Sequence, residues 1–183
     1  MIEIVHGSVV DQRVDAIVNA ANHGLLGGGG VDGAIHRAAG PAFEAECRAL
    51  HDAGGCATGD AKIVNAHEIT WAKHIVLTVG PVYSSGQADR CAQQLASCYQ
   101  RSCEVALEAD DASIAFPAIS CGVYGYPLED AVLVSLEALR PYVNRFERIV
   151  LAMFKGQEFD RAVEVAREVV PTHMLSDSLV VDL

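Results

Sequence analysis

The stretch Ala16-Ile17-Val18-Asn19-Ala20-Ala21-Asn22-His23-Gly24-Leu25-Leu26-Gly27-Gly28-Gly29-Gly30-Val31-Asp32-Gly33 decides the reading of this chain. It opens with a short apolar run containing Ile17 and Val18, which suits a buried strand over 16–20. Asparagine and glycine then break the run. Four consecutive glycines lead into a helical pattern that starts at Val31. In regular structure such glycines cost about 0.5–1 kcal/mol each relative to alanine. Their usual return is close approach of the backbone to a ligand, or dihedral angles closed to other residues.

Outward from this segment the same alternation continues. Strands are expected over 2–6, 61–65, 74–79, 113–117 and 148–154, and helices over 31–39, 42–53, 88–109, 128–139 and 158–169. Phe159, Ala162, Val163, Ala166, Val169 and Val170 share one face of the last helix. Gly40-Pro41 separates the first two helices, because glycine suits a helix C-terminus and proline the first turn of the next. Strands interleaved with helices define an α/β layered fold. No repeat or linker divides the 183 residues, so one domain is expected over 1–170, with a loosely ordered tail over 171–183.

Composition narrows the function. Apolar residues form 51% and charged residues 20% of the chain, which supports a packed core. Thirteen basic against 24 acidic residues give a net charge of −11. A nucleic-acid polymer therefore makes a poor partner, since backbone binding needs a basic face. No apolar run reaches the roughly 20 residues of a membrane span, and the N-terminus lacks a signal-peptide pattern. A cytoplasmic protein without membrane association is expected. The six cysteines show neither C-x-x-C nor zinc-like spacing, so neither a disulfide framework nor a metal site is expected.

Two glycine-bearing segments follow strands and open helices, where ligands of α/β sheets bind. One is Gly27–Gly33; the other is Pro117-Ala118-Ile119-Ser120-Cys121-Gly122-Val123-Tyr124-Gly125-Tyr126-Pro127. Main-chain N–H groups there can hold an anion without any lysine. Each loop alone could equally be a flexible connection. Gly28-x-Gly30-x-x-Gly33 matches the dinucleotide fingerprint only formally, because it is separated from its strand and the region around Asp52, where the acidic residue about 20 positions on would stand, falls in a helical pattern. A P-loop is excluded by the missing Gly-Lys-Ser/Thr. Asn19 and Asn22 could satisfy backbone groups at a strand end, and Asp32 could simply favour a helix start. His36 reads as structural, and Phe154 reads equally as core or ligand contact.

Taken together, IVNAAN at 17–22, GGGGVDGAIHRAAGP at 27–41, LTVGP at 77–81 and FPAISCGVYGYP at 116–127 closely resemble the macrodomain family, in its MacroD-type branch. The resemblance runs from about residue 2 to residue 170. It implies a three-layer α/β/α fold with a central mixed sheet of about six strands, and a cleft for ADP-ribose at the strand ends. It also implies roles for particular residues. Gly30, Val31, Ser120, Cys121, Gly122, Val123 and Tyr124 would wrap the diphosphate, with Tyr124 over the distal ribose. Ser8 and Val9 would meet adenine, and Phe154 would stack on it. Asn19 would join the ligand contacts. Asn22 would bind the distal ribose hydroxyls, and Asp32 would orient or deprotonate a water. No cofactor is implied.

Two positions depart from the family pattern. Gly7-Ser8-Val9 stands where Gly-Asp-Ile is frequent, and the family aspartate accepts a hydrogen bond from the adenine amino group. Serine turns a charge-assisted bond, about 1.5–3 kcal/mol, into an ordinary one of about 1 kcal/mol. Cys121 replaces a frequent threonine and is expected to remain a neutral thiol. The resemblance implies hydrolysis of an ester at the distal ribose of O-acetyl-ADP-ribose or of mono-ADP-ribosylated proteins. A non-catalytic ADP-ribose reader is the alternative, and an NAD oxidoreductase ranks below both.

Overall fold

The computed structural model describes residues 1–175 and 177–183. Eight strands form one sheet: β1 (Ile2–His6), β2 (Ala16–Ala20), β3 (Ala61–Asn65), β4 (His74–Thr78), β5 (Ser113–Pro117), β6 (Arg148–Met153), β7 (Thr172–Leu175) and β8 (Ser178–Val181). Their spatial order is β3-β4-β2-β5-β6-β1-β8-β7. The five central strands β4, β2, β5, β6 and β1 run parallel, while β3, β8 and β7 each pair antiparallel with a neighbour. The sheet is mixed, as expected, but has eight strands rather than about six.

The difference lies in the tail. The expectation of loose order over 171–183 is overturned by the hairpin β7–β8. Ile2 pairs with Val181 and Ile4 with Leu179, and Leu179, Val180 and Val181 are fully buried. The run Leu179-Val180-Val181 is only three residues long. It becomes a strand because β1 would otherwise present an unpaired edge.

Four α-helices cover the sheet: α1 (Gly30–Asp52), α2 (Ala88–Glu108), α3 (Leu128–Leu139) and α4 (Gly156–Val169). The period of two in each strand sorts the side chains onto two faces. Val18, Val76, Ile114, Phe116 and Leu151 pack under α2, α3 and α4. Ile17, Ile75, Leu77, Ala115 and Val150 pack with Ile35, Phe43 and Cys47 of α1. Three layers result, with one apolar core on each side of the sheet.

The two helices expected around Gly40-Pro41 form one segment broken at Gly40, which sits at φ 79°, ψ −172°. A side chain at Gly40 would also collide with the Glu68 carboxyl group. The break leaves an N-terminal half of α1 over the ends of β2, β5 and β6. That half carries the first glycine segment and Asp32.

Candidate active site

Strands β2, β5 and β6 are parallel neighbours, so their C-terminal ends release three chain segments at one edge of the sheet. Between them and the start of α1 lies a cleft of about 410 Å³. Ser8, Val9, Gly30, Val31, Cys121, Gly122 and Phe154, all expected at the site, line it. Ala34, Arg37, Pro117, Ala118, Ala152, Lys155 and Glu158 complete the wall.

The main chain around the cleft is rich in unused donors. The start of α1 has no side-chain cap, and among the described residues the first-turn N–H groups of Gly30 and Val31 meet no acceptor. In the second glycine segment, Cys121, Gly125 and Tyr126 donate to Ala118, Gly122 and Ser120 carbonyls, closing successive turns. Gly122, Val123 and Tyr124 N–H groups remain without an intramolecular acceptor among the described residues. Ser120 has φ 64°, and such alternation of backbone handedness aims neighbouring N–H groups at a common point. Methyl groups added at Gly29, Gly30, Gly122 or Gly125 would meet nothing within 4 Å. The glycines therefore border open space. Gly80 of the Leu77–Pro81 segment is different: any side chain there would strike Ser120 Oγ, so it lets the second loop lie close.

Asp32 occupies the first turn of α1 and is 5% exposed. Asn19, on the α1 face of β2, is fully buried and donates from Nδ2 to Asp32 Oδ1 at 2.7 Å. His36, one helical turn on, holds Nε2 at 3.5 Å from the same oxygen, and its ring meets Phe43 edge-on. Among the described residues Oδ2 accepts no hydrogen bond. A methyl group at Gly28 would stand 3.1 Å from Asp32 Oδ2 and 3.7 Å from Asn22 Nδ2. Asp32 Oδ2 and the Asn22 amide thus both border the space at Gly28 that a side chain there would fill.

The remaining expected residues divide by placement. Asn22 uses Oδ1 to accept from Leu25 N–H at 3.1 Å and Nδ2 to donate to Gly27 O at 3.2 Å, so it also shapes the glycine loop. Asn19 lies under Asp32 rather than in the cleft wall, and could reach a ligand only through that carboxylate. Val123 is fully exposed at the loop tip. Tyr124 is half-buried, its carbonyl held by Tyr83 N–H. Phe154, read equally as core or contact, is 72% exposed at the end of β6. It is not a core residue. Ser8 Oγ accepts from Val10 N–H at 3.3 Å in the short turn after β1. Cys121 Sγ turns to Ile119 O; burial, then the nearby Glu158 carboxylate, push the thiol up to about 12.

Sequence reasoning missed Arg37, Lys155 and Glu158. Arg37 forms no ion pair among the described residues, whereas Lys155 Nζ pairs with Glu158 at 2.9 Å. The signal for Arg37 was available: Val31, Ala34 and Arg37 recur at three-residue spacing and so share a helix face. No group of three His, Cys, Asp or Glu side chains gathers as a metal site among the described residues. No helix among them is long and apolar enough to cross a membrane.

A layered sheet with a donor-lined cleft at its parallel strand ends, bordered by the helix that also carries the Asp32 carboxylate just outside the cleft wall, defines an α/β ligand-binding domain. The family model for the Macro domain matches residues 18–134, and the chain belongs to that family, in its MacroD-type branch. It is 53% identical over 173 residues to a macro domain-containing protein of Mesorhizobium japonicum, covering 91% of this chain and 96% of that one. It is 46% identical over 157 residues to the ADP-ribose glycohydrolase MACROD2 of Xenopus laevis. That match covers 84% of this chain and only 37% of the frog protein. A Trypanosoma brucei macrodomain in complex with ADP-ribose superposes with a TM-score of 0.80 at 36% identity, over 89% of this chain and 68% of that one.

Proposed function

We propose that this macrodomain binds ADP-ribose and hydrolyses an ester at its distal ribose. The substrates are O-acetyl-ADP-ribose or proteins carrying mono-ADP-ribose on aspartate or glutamate. Ligand identity is supported by the free N–H groups of two loops, the exposed ring of Phe154, and the ADP-ribose held by the trypanosomal relative. Such donors suit a diphosphate even in an acidic protein, because distant surface charge is screened beyond roughly 8 Å.

The observation that carries the hydrolytic reading is the division of labour on Asp32. Oδ1 is fixed by Asn19, and Oδ2 faces Gly28 with the Asn22 amide beside it. In this reading Asn22 holds the distal ribose hydroxyls and Oδ2 accepts a hydrogen bond from a water. The water attacks the ester carbonyl carbon, and the acyl C–O bond breaks as the ribose oxygen takes up a proton. General-base help of this kind is worth about 10²–10⁴ in rate. The named activity of the MACROD2 relative, which spans a longer chain, points the same way.

A binding module without turnover is the second reading, and the burial of Asp32 at 5% exposure favours it. Both are tested by comparing wild type with Asp32→Ala for ADP-ribose binding by calorimetry and for product release from O-acetyl-ADP-ribose and an ADP-ribosylated glutamate peptide. The hydrolase reading expects binding retained and turnover reduced about 10²–10⁴-fold in the variant. Wild-type turnover in Asp32→Ala overturns the role of Asp32. Tight binding without product in wild type establishes the reader.

A further inference from the structure

Resting on the ADP-ribose reading, we propose that the Glu158 carboxylate, which lines the same cleft as Ser8, reads the amino edge of the adenine base.

The end of the cleft bordered by Ser8, Val9 and Phe154 is where a flat base fits. Phe154 offers an exposed ring, and the largely buried Val9 contributes to the apolar lining of the same cleft. An exocyclic amine brought there needs an acceptor, because a stacked base loses water along its edge. Ser8 is poorly placed for this, since its Oγ already accepts from Val10 N–H at 3.3 Å. A hydroxyl so engaged keeps one lone pair, but it is neutral and a weaker acceptor for an amine than a carboxylate.

Among the described residues, Glu158 supplies the sole carboxylate of the cleft wall. It belongs to the first turn of α4, four residues beyond Phe154, so ring and carboxylate enter the cleft from one short segment. Its side chain is 24% exposed, neither buried in the core nor free in solvent. Lys155 fixes it: Nζ donates to Oε1 at 2.9 Å and the Lys155 N–H to Oε2 at 3.4 Å. Each carboxylate oxygen can accept more than one hydrogen bond, so the cap leaves capacity for a ligand. A pre-positioned, charged acceptor beside a stacking ring discriminates against a 6-oxo base, whose oxygen would face the carboxylate.

The test is calorimetry of the full chain with ADP-ribose and with inosine diphosphate ribose, which differ at that amino position. Wild type is expected to favour ADP-ribose by about tenfold or more, the range of a charge-assisted hydrogen bond. Glu158→Ala should bring the two affinities within about twofold of each other, and adding Ser8→Asp should restore the preference. Glu158→Gln keeps a helix-capping side chain and a neutral acceptor, so it serves if the alanine variant unfolds; its preference should fall at least threefold. A preference unchanged in Glu158→Gln and Glu158→Ala, or a variant that weakens both ligands equally, overturns the assignment. So does a wild type that binds both equally. A wild type that binds neither nucleotide overturns the ADP-ribose reading itself.

Discussion

Asn19 Nδ2 stands 2.7 Å from Asp32 Oδ1, joining the fourth residue of β2 to the first turn of α1, both side chains being largely buried. The two residues are 13 apart in sequence, and the loop between them holds all four consecutive glycines. A strand side chain thus sets the rotamer of a helix carboxylate, while the glycine loop supplies the space in front of it. Asn19→Ala would leave that carboxylate buried without its donor, at a cost of about 1–3 kcal/mol. Thermal unfolding should show this loss. Turnover should fall about tenfold or more with little change in ADP-ribose affinity, since the cleft wall is untouched.

Gly33 offers a separate handle on the same geometry. A Cβ there would lie 2.6 Å from the Gly28 carbonyl oxygen, a backbone atom that must move to admit it. Gly33→Ala, though favourable for helix propensity by about 1 kcal/mol, should push Gly28 away from α1 and open the Asp32–Asn22 arrangement. We expect turnover to drop more than tenfold while the melting temperature changes by only a few degrees. Unaltered kinetics in the alanine variant would show that the loop shifts without consequence.

The tail should behave as part of the core. Leu179 is fully buried on β8 and paired with Ile4. Leu179→Ala should lower stability by about 2–5 kcal/mol, measured by urea unfolding. A variant with wild-type stability would mean that the hairpin contributes little to the fold.

Acid sensitivity is predicted from Asp15. Burial pushes its carboxyl up, but hydrogen bonds from Ala112 N–H and Lys73, the Lys73 charge, and the Ser113 N–H outweigh it and hold it below its ordinary value of 3.8. A carboxyl lowered by folding stabilises the protein above its unfolded value and loses that contribution as pH falls through the folded value. Asp15→Ala should therefore be less stable than wild type at pH 7, and the gap should shrink below about pH 4. Unfolding curves at pH 7 and pH 3 measure it directly; an equal gap at both would rule out the charge as its source.

Much of this architecture was legible from local pattern. Ile17-Val18 and Ile75-Val76 announced strands because parallel strands buried on both faces are continuously apolar, and Gly40-Pro41 marked the break in α1. The hairpin β7–β8 was not legible. Thr172–Leu175 is an exposed edge strand, and β8 lies between it and β1, so its place depends on a contact between residues far apart in the sequence. At the site, the glycine segments stood out by composition, and Asp32 only through the family resemblance. The bond from Asn19 did not, because a buried strand asparagine looks like any strand-end asparagine until a helix lands above it. Glu158 was hidden for a related reason: charged residues on helices are usually solvated, and only the arrival of the N-terminal parts of α1 and α4 at the same strand ends brings Arg37 and Glu158 to one cleft.

The state of Cys121 bears on how this cleft could be targeted chemically. With burial and the Glu158 carboxylate holding its thiol up at about 12, the sulfur is overwhelmingly protonated at neutral pH. Alkylating warheads, which depend on the thiolate anion, will label it sluggishly even when a nucleotide scaffold delivers them to the loop. Inhibitors of this domain should be built for reversible occupancy, and peroxide should leave the cradle intact.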